Sequence, residues 1–421
     1  MGRCSLRFVS REHFVSLTHR NFRLIWIGLF FSMSGSMMQN AALLWHVSLL
    51  VAPGRKALAL GLVGLVRVVP IIVLSMFSGV VADAWNRRRL MLMTQTCAAL
   101  VSLSLAVLAF RGLSVVWPIY VLAALGASVG TFDLPARQAL VPTLVPREHL
   151  PNAISMNTIM FQTASVLGPS IGGIVIASAG VGWVYVVNAL SFGCVIAALL
   201  LMRGVSGRPV RVGDEPENEI SFKAAREGLK FVFESPLIRS TMLLDFFATF
   251  FSSATALLPI FAQDVLHVGA RGYGWLYAAP ALGAVLMSAV MIPVASRIER
   301  RGPVLLWAVG GYGLATAVFG ISTWFWLTFV CLALTGAMDT ISMIIRNIVR
   351  QLETPDRLRG RMMGVNMVFF QGGPQLGELE AGAVANWLGP VFSVVSGGVG
   401  CLIATAWVAK TTPALRRYRR S

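Results

Sequence analysis

The sequence predicts an all-α membrane protein with twelve transmembrane helices in two pseudo-symmetric bundles of six. The 421 residues are 56% hydrophobic and 13% charged, whereas soluble domains carry about 25% charged residues. Apolar runs of about 20 residues, which are long enough to cross a bilayer, recur along the whole chain. All but five of the 35 basic residues fall in loops and tails that this arrangement places on one side. That asymmetry is typical of a membrane topology.

The net charge of +17 follows the topology and does not indicate a nucleic-acid partner. Arg55, Lys56, Arg111 and Arg271 are the basic residues placed on the other side, and Arg67 lies within a predicted helix. Because basic loops stay in the cytoplasm, both termini are predicted to be cytoplasmic. The lipid bilayer is the expected large partner, and its anionic lipids would attract the basic loops.

The composition changes along the chain predict five regions. Residues 1–21 form a basic cytoplasmic lead-in, and residues 22–202 form the first six-helix bundle. Residues 203–236 are rich in charge and form a cytoplasmic linker, with a short helix around 222–233. Residues 237–409 form the second bundle, and residues 410–421 form a cytoplasmic basic tail.

The second bundle is predicted to contain six spans. The spans are 237–262, 272–296, 303–322, 325–349, 362–387 and 389–409.

The joint between the second and third apolar runs is short and basic, and reads G-V-V-A-D-A-W-N-R-R-R over residues 79–89. The spacing of Gly79, Asp83, Arg87 and Arg88 resembles the signature loop of the major facilitator superfamily of secondary transporters. The resemblance implies the major facilitator fold and a gate role for these residues. The alternative is an ordinary charged hairpin on the cytoplasmic side.

Two further stretches resemble the enterobactin (siderophore) exporter and drug efflux branch of this superfamily. One is N-F-R-L over residues 21–24, and the other is D-L-P-A-R-Q-A-L-V-P over residues 133–142. Many members of the branch carry an acid just after the glycine that matches Gly35. Ser36 stands there in this chain, so a proton-carrying role at that position is lost.

Arg67 lies within the second predicted helix and is followed by Pro70. A charge at membrane depth is costly, so Arg67 is predicted to face a cavity or a partner and to join the substrate or proton-coupling site. The alternative is that the side chain extends to the outer interface.

Two acid–arginine pairs lie near the predicted cytoplasmic ends of helices four and ten. Asp133 and Arg137 are four residues apart, which is a good ion-pair spacing on a helix. Asp339 and Arg346 occupy similar positions in the second half. Both pairs are predicted to form gate or interface salt bridges.

The fifth helix carries G-P-S-I-G-G over residues 168–173, which resembles the G-P-x-x-G-G pattern typical of antiporters in the superfamily. The proline frees a backbone carbonyl, and the glycines allow close helix contact. The eleventh helix has a similar pattern, and such repetition is typical of transporters built from two related halves. The residues of this helix-bending motif are Gly168, Pro169, Gly172, Gly173, Gly373 and Pro374.

Two acids deep in the predicted helices are candidates for substrate or proton binding. Asp245 lies in helix seven, and Glu378 shares one face of helix eleven with Gln371 and Gln375. A buried carboxylate can exchange a proton near neutral pH. The alternative for both acids is a structural ion pair with Arg67 or another buried donor.

These observations and the resemblance imply a secondary active transporter, and not an enzyme. The expected activity is proton-coupled export of a small amphipathic molecule, such as a siderophore or drug, by alternating access. The expected partners are a small-molecule substrate and protons, with the chain acting as a monomer in a bacterial inner membrane. The sequence has no P-loop, H-E-x-x-H or C-x-x-C motif, so we expect no cofactor, no metal and no catalytic residue.

Three other interpretations stay open at this point. One is an importer or facilitator of an unrelated solute, against which the antiporter-type pattern at Gly168 weighs. The others are a membrane enzyme and a non-transporting sensor that kept the fold. An enzyme would need a cluster of His, Asp or Cys at one interface, and the sequence shows none.

Overall fold

The computed structural model of the protein describes residues 15–204, 222–251, 253–355 and 358–419. Within these residues the regular elements are helices, and there is no strand. The main helices are α1 Arg20–Leu50, α2 Lys56–Ala84, α3 Arg87–Phe110, α4 Trp117–Leu140, α5 Leu150–Ala179, α6 Val181–Leu201, α7 Phe222–Glu234, α8 Pro236–Phe251, α9 Gly269–Val294, α10 Arg301–Ile321, α11 Phe325–Glu353, α12 Arg359–Leu388, α13 Pro390–Thr411 and α14 Pro413–Arg417.

The described helices confirm the predicted membrane fold. Ten helical segments of the described residues are long and apolar enough to cross a bilayer. α1 has 31 residues and α12 has 30, which also exceeds the length of about 20 residues that a span needs. With these two, the described part of the chain provides twelve segments of spanning length, which agrees with the predicted count.

The predicted span 237–262 is not one uniform helix. α8 ends at Phe251, and the chain continues through a 3₁₀ turn Ala254–Leu257, one α-helical turn Leu258–Ile260 and a π-helical turn Phe261–Val265. Pro259 explains part of this change, since a proline has no N–H to donate to the preceding turn. The sequence pattern alone therefore predicted the length of this span but not its break.

Single glycines join two pairs of long helices without a loop. Gly180 joins α5 to α6 with φ 91°, and Gly389 joins α12 to α13 with φ 90°. These dihedral angles lie in a region that glycine adopts readily and other residues do not. The two turns occupy equivalent places in the first and second halves of the chain.

The chain divides into two compact units. Unit 1 comprises residues 1–46 and 69–211, and unit 2 comprises residues 47–68 and 212–421. In unit 1, α3 packs against both α4 and α6. A buried apolar cluster fills one end of this unit and includes Phe22, Met91 and Leu199.

In unit 2, α11 packs against α9 and α10, and α10 packs against α13. Its apolar core includes Leu305, Val349 and Leu415. The helix predicted around 222–233 is present as α7, and it packs against α8 and α12 through Val232.

Candidate functional site: buried polar clusters of the two units

The predicted Asp133–Arg137 pair lies in a buried polar cluster of unit 1. Asp133 forms an ion pair with Arg137 through Oδ2. Its Oδ1 accepts hydrogen bonds from the Thr94 hydroxyl at 2.8 Å and from the Gln95 amide at 2.8 Å. Ser32 of α1 donates to Gln95 Oε1 at 3.4 Å, so the cluster ties α1, α3 and α4 together.

The arginines of the 79–89 loop bind the ends of neighbouring helices. Arg87 Nη1 donates to the Ala139 carbonyl at the end of α4 at 3.0 Å, and Arg88 Nη2 donates to the Leu200 carbonyl at the end of α6 at 3.3 Å. A cation at a helix C-terminus satisfies free carbonyls and the negative end of the helix dipole.

Three of the predicted site residues cannot be placed in these contacts. Gly79 lies within α2, but its surroundings and the side chains of Asp83 and Gln371 are not among the described features. The predicted gate role of the loop therefore stays a prediction.

The glycines of the first G-P-x-x-G-G stretch bring α5 against α1. A Cβ at Gly168 would lie 2.5 Å from the Ser34 carbonyl oxygen, and one at Gly172 would lie 2.6 Å from Met38 Cγ. Pro169 and Gly173, which are adjacent to these glycines on α5, are also buried. Close approach of two helix backbones requires small residues at such positions.

The second-half glycines make an equivalent contact between α12 and α8. A Cβ at Gly377 would lie 2.3 Å from the Phe250 carbonyl oxygen, and one at Gly373 would lie 2.5 Å from Thr249 Oγ1. Pro374 lies within α12 between them. The repeat that the sequence indicates is thus present as two helix contacts of the same kind.

Asp245 forms a buried ion cluster in unit 2. Its Oδ1 lies 2.7 Å from Arg346 Nη1, and its Oδ2 lies 3.3 Å from Arg350 Nη2. Arg346 Nη2 also lies 3.4 Å from Asp339 Oδ1. Arg350 further donates to the Thr241 hydroxyl at 3.4 Å and to the Thr241 carbonyl at 3.3 Å.

This geometry favours the ion-pair alternative for Asp245 over the substrate or proton site. The side chains of Asp245, Arg346 and Arg350 are at most 4% exposed, whereas that of Asp339 is 47% exposed. The donors are Arg346 and Arg350 of α11, which are the other buried donors that this alternative allowed beside Arg67. Since both carboxylate oxygens of Asp245 face guanidinium groups, the cluster fastens α8 to α11.

Glu378 lies in a different environment within unit 2. Its Oε2 is buried and has no hydrogen-bond partner among the described residues, and the same holds for Gln375 Oε1 on the preceding turn of α12. Arg67 is close enough to interact electrostatically with Glu378, and both interact with the Tyr277 hydroxyl of α9. We call Arg67, Tyr277, Gln375 and Glu378 the Glu378 cluster.

Close packing of α2 on α12 encloses Glu378. A Cβ at Gly64 would lie 2.9 Å from Glu378 Oε2 and 2.6 Å from the Gln375 carbonyl oxygen. One turn earlier, a Cβ at Gly61 would lie 3.0 Å from the Gly382 Cα. Glycines at these two positions allow the backbones to meet at the carboxylate.

Sequence reasoning missed two residues of these clusters. Arg350 is one turn after Arg346 on α11, so helical spacing from a predicted site residue could have indicated it. Tyr277 has no such signal, because its relation to Glu378 depends on the packing of α9 near α12. Among the described residues, no three His, Cys, Asp or Glu side chains lie together as a metal site would need.

Comparison with known proteins gives relatives over almost the whole chain. A family model described as "Transmembrane secretion effector", from the major facilitator superfamily, matches residues 12–417. The chain is 27% identical over 414 residues to the enterobactin exporter EntS of Escherichia coli O1:K1 / APEC, which is 96% of this chain and 94% of the relative. The enterobactin exporter EntS of Shigella boydii serotype 18 is also 27% identical, with the same coverage.

Solved structures share the fold at low sequence identity. A POT family transporter in complex with 5-aminolevulinic acid superposes with a TM-score of 0.72 at 11% identity, over 94% of this chain and 96% of the other. A bacterial homologue of the iron transporter ferroportin superposes with a TM-score of 0.68 at 17% identity, over 93% and 98% of the two chains. The twelve spans, the paired glycine contacts and the family match lead to one assignment: the chain is a multi-pass membrane transporter that belongs to the major facilitator superfamily, in the family described as transmembrane secretion effectors.

Proposed function

We propose that the protein is a proton-coupled exporter of a small amphipathic molecule, such as a siderophore or a drug. The observation that carries this proposal is the Glu378 cluster, in which a buried carboxylate oxygen lacks a hydrogen-bond partner beside Arg67. The substrate class rests on the relatives at 27% identity, whose names describe export of the siderophore enterobactin.

The unpaired buried acceptor makes the cluster unfavourable when Glu378 is ionised and no substrate is bound. A buried polar atom without a partner costs about 1–3 kcal/mol, and a proton on Glu378 would remove the charge that causes most of this cost. A substrate that donates hydrogen bonds would satisfy Glu378 Oε2 and Gln375 Oε1 instead. If proton and substrate compete for one carboxylate, their exchange gives antiport.

Alternating access would require the enclosure of Glu378 to open. The α2–α12 contact at Gly61 and Gly64 covers the carboxylate, and Lys56 at the start of α2 binds Gln263 at 3.1 Å and Asp264 at 3.5 Å. These contacts would separate in the state that releases substrate. The Lys56–Asp264 pair suits this role, because Asp264 is 49% exposed and ion pairs that reach solvent contribute little stability.

The remaining sequence predictions, on location, topology and the gate, are part of this proposal. The chain would lie in a bacterial inner membrane as a monomer, with both termini in the cytoplasm and the linker 203–236 between two six-helix bundles. Asp83 would complete the gate with Arg87 and Arg88, while Asp133–Arg137 and Asp339–Arg346 would hold the basic ends of their helices.

The test is proton movement in proteoliposomes that hold a pH-sensitive dye. The purified chain is challenged with a panel of siderophores and cationic drugs, and substrate counterflow is measured in parallel. Glu378→Gln is expected to abolish substrate-driven proton flux but to retain counterflow, because an amide cannot carry the proton yet can still accept a hydrogen bond. Glu380→Gln, the same change two residues away on α12, is the matched control and is expected to keep proton flux.

Two outcomes would contradict the proposal. Proton flux that survives in Glu378→Gln would remove the coupling role from this residue. Counterflow of substrate without any proton flux in the unmodified chain would favour the alternative of a facilitator. The counterflow itself would show that the reconstituted protein is folded.

A further inference from the structure

The C-terminal tail folds back onto the start of α10 and builds a basic pocket. The pocket has a volume of about 400 Å³ and is lined by Arg300, Pro303, Arg416, Arg417, Tyr418 and Arg419. All four arginines are exposed. Within the described residues, none of them forms an ion pair with a carboxylate.

Three contacts fix the tail at this place. The Gly302 N–H donates to the Tyr418 carbonyl at 3.2 Å, and the Tyr418 hydroxyl donates to Glu353 at 2.9 Å. Leu415 is fully buried in the core of unit 2. A Cβ at Gly302 would lie 1.7 Å from the Leu415 carbonyl oxygen, so only glycine permits this approach.

The folded tail holds like charges close together. Four guanidinium groups around one pocket repel each other unless an anion lies between them. The N-terminal end of α10 adds to the positive potential, since Arg300 provides no side-chain cap there. Glu353 accepts from the Tyr418 hydroxyl, and neither it nor Glu299, which precedes Arg300, forms an ion pair with these arginines among the described residues. The pocket therefore suits an anion from outside the chain.

The surroundings of the pocket distinguish a lipid from a free anion. Trp307 follows Pro303 by four residues on α10, so it lies on the same helix face, and its side chain is 80% exposed. Exposed tryptophan next to a basic cluster is typical of the membrane interface. A phospholipid offers a phosphate to the arginines and an acyl chain to Trp307, whereas inorganic phosphate offers only the first.

We propose that this pocket is a binding site for the head group of an anionic phospholipid. Arg300, Arg416, Arg417 and Arg419 bind the phosphate, and Trp307 contacts the lipid below the head group. This site is separate from the Glu378 cluster, so it stands or falls independently of the proposed transport activity.

Native mass spectrometry of the full chain tests the proposal. The protein is equilibrated in detergent with equal amounts of phosphatidylglycerol and phosphatidylcholine that carry the same acyl chains, and the ratio of the two bound lipids is measured. The triple variant Arg300→Gln, Arg417→Gln, Arg419→Gln is expected to lower this ratio at least tenfold, on the order of 1 kcal/mol per basic residue.

The matched control removes three exposed arginines that do not line the pocket. The variant Arg55→Gln, Arg111→Gln, Arg271→Gln has the same change in net charge and is expected to keep the ratio. If the pocket triple variant does not fold, each of its single substitutions is expected to lower the ratio about fivefold.

Two results would overturn the proposal. One is an equal loss in both triple variants, which would mean that net charge alone attracts the lipid. The other is an unchanged ratio in a folded pocket triple variant, which would mean that phosphatidylglycerol binds elsewhere on the chain.

Discussion

The acid–arginine clusters of the two units each contain one of the two predicted acid–arginine pairs, but they differ in chemistry. In unit 1, Asp133 faces one arginine and two neutral donors, and Arg137 is 18% exposed. In unit 2, Asp245 faces two arginines that are both almost fully buried. Neutral donors can be lost one at a time, whereas a buried charge needs its counter-charge. The second cluster should therefore respond more strongly to substitution.

The largest expected effect is at Asp245. Asp245→Asn leaves the half-exposed Asp339 as the one carboxylate that still pairs with these arginines among the described residues. We expect it to lower the free energy of unfolding by about 3–5 kcal/mol, as for other broken buried ion pairs. Unfolding of the purified chain by sodium dodecyl sulfate in mixed micelles measures this change.

A second substitution checks the cause. Asp245→Asn combined with Arg350→Gln removes one of the uncompensated charges, so part of the lost stability should return. A double variant that is less stable than the single variant would show that packing, and not charge, explains the loss.

A smaller effect is expected at Asp133. Asp133→Asn keeps the size of the side chain and one acceptor for Thr94 and Gln95, and Arg137 can reach water. The cost should be about 1.5–3 kcal/mol, the range for a hydrogen bond to a charged group, measured in the same unfolding assay. Equal costs at Asp133 and Asp245 would remove the contrast between the two units.

The glycine contacts predict the same order of effects in both units. Gly168→Ala and Gly377→Ala place a methyl group against a backbone carbonyl, and each should cost about 1–3 kcal/mol. Gly172→Ala and Gly373→Ala meet the side chains of Met38 and Thr249, which can move, so they should cost less. Unfolding of the four variants side by side measures this order, and a reversed order in either unit would break the proposed equivalence.

The smallest expected effect is at the loop before α3. Arg88 makes one hydrogen bond of 3.3 Å to the end of α6 at an exposed site. Arg88→Gln should therefore cost at most about 1 kcal/mol of stability. If transport falls strongly while the unfolding free energy stays within this limit, the arginine acts in the gate and not as a helix cap.

Sequence reasoning predicted interactions along one helix better than those between helices. The Asp133–Arg137 pair follows from a spacing of four residues, and the short helix predicted around 222–233 ends within one residue of the observed end of α7. The partners of Asp245 lie 101 and 105 residues away on α11, and no local pattern indicates them. The sequence therefore identified Asp245 as unusual without indicating what it binds.

Contacts to backbone atoms could not be predicted from the sequence either. Arg87 and Arg88 bind carbonyl groups of α4 and α6, and every residue carries a carbonyl group, so composition gives no signal for the partner. The enclosure of Glu378 depends on Gly61 and Gly64, which no motif in the sequence distinguishes from the rest of the apolar run. Their role follows only from the approach of α2 to α12.

The single-residue turns at Gly180 and Gly389 limit how the helices beside them can move. A joint of one residue has only two free dihedral angles, so the helices on either side of it cannot move far independently. The tilt of α5 is thus coupled to that of α6, and the tilt of α12 to that of α13. A movement of α12 that follows binding at Glu378 would therefore displace α13 as well. The same joints leave no loop for an epitope tag, an antibody or a protease at these two points, so reporters for following the motion must be attached elsewhere.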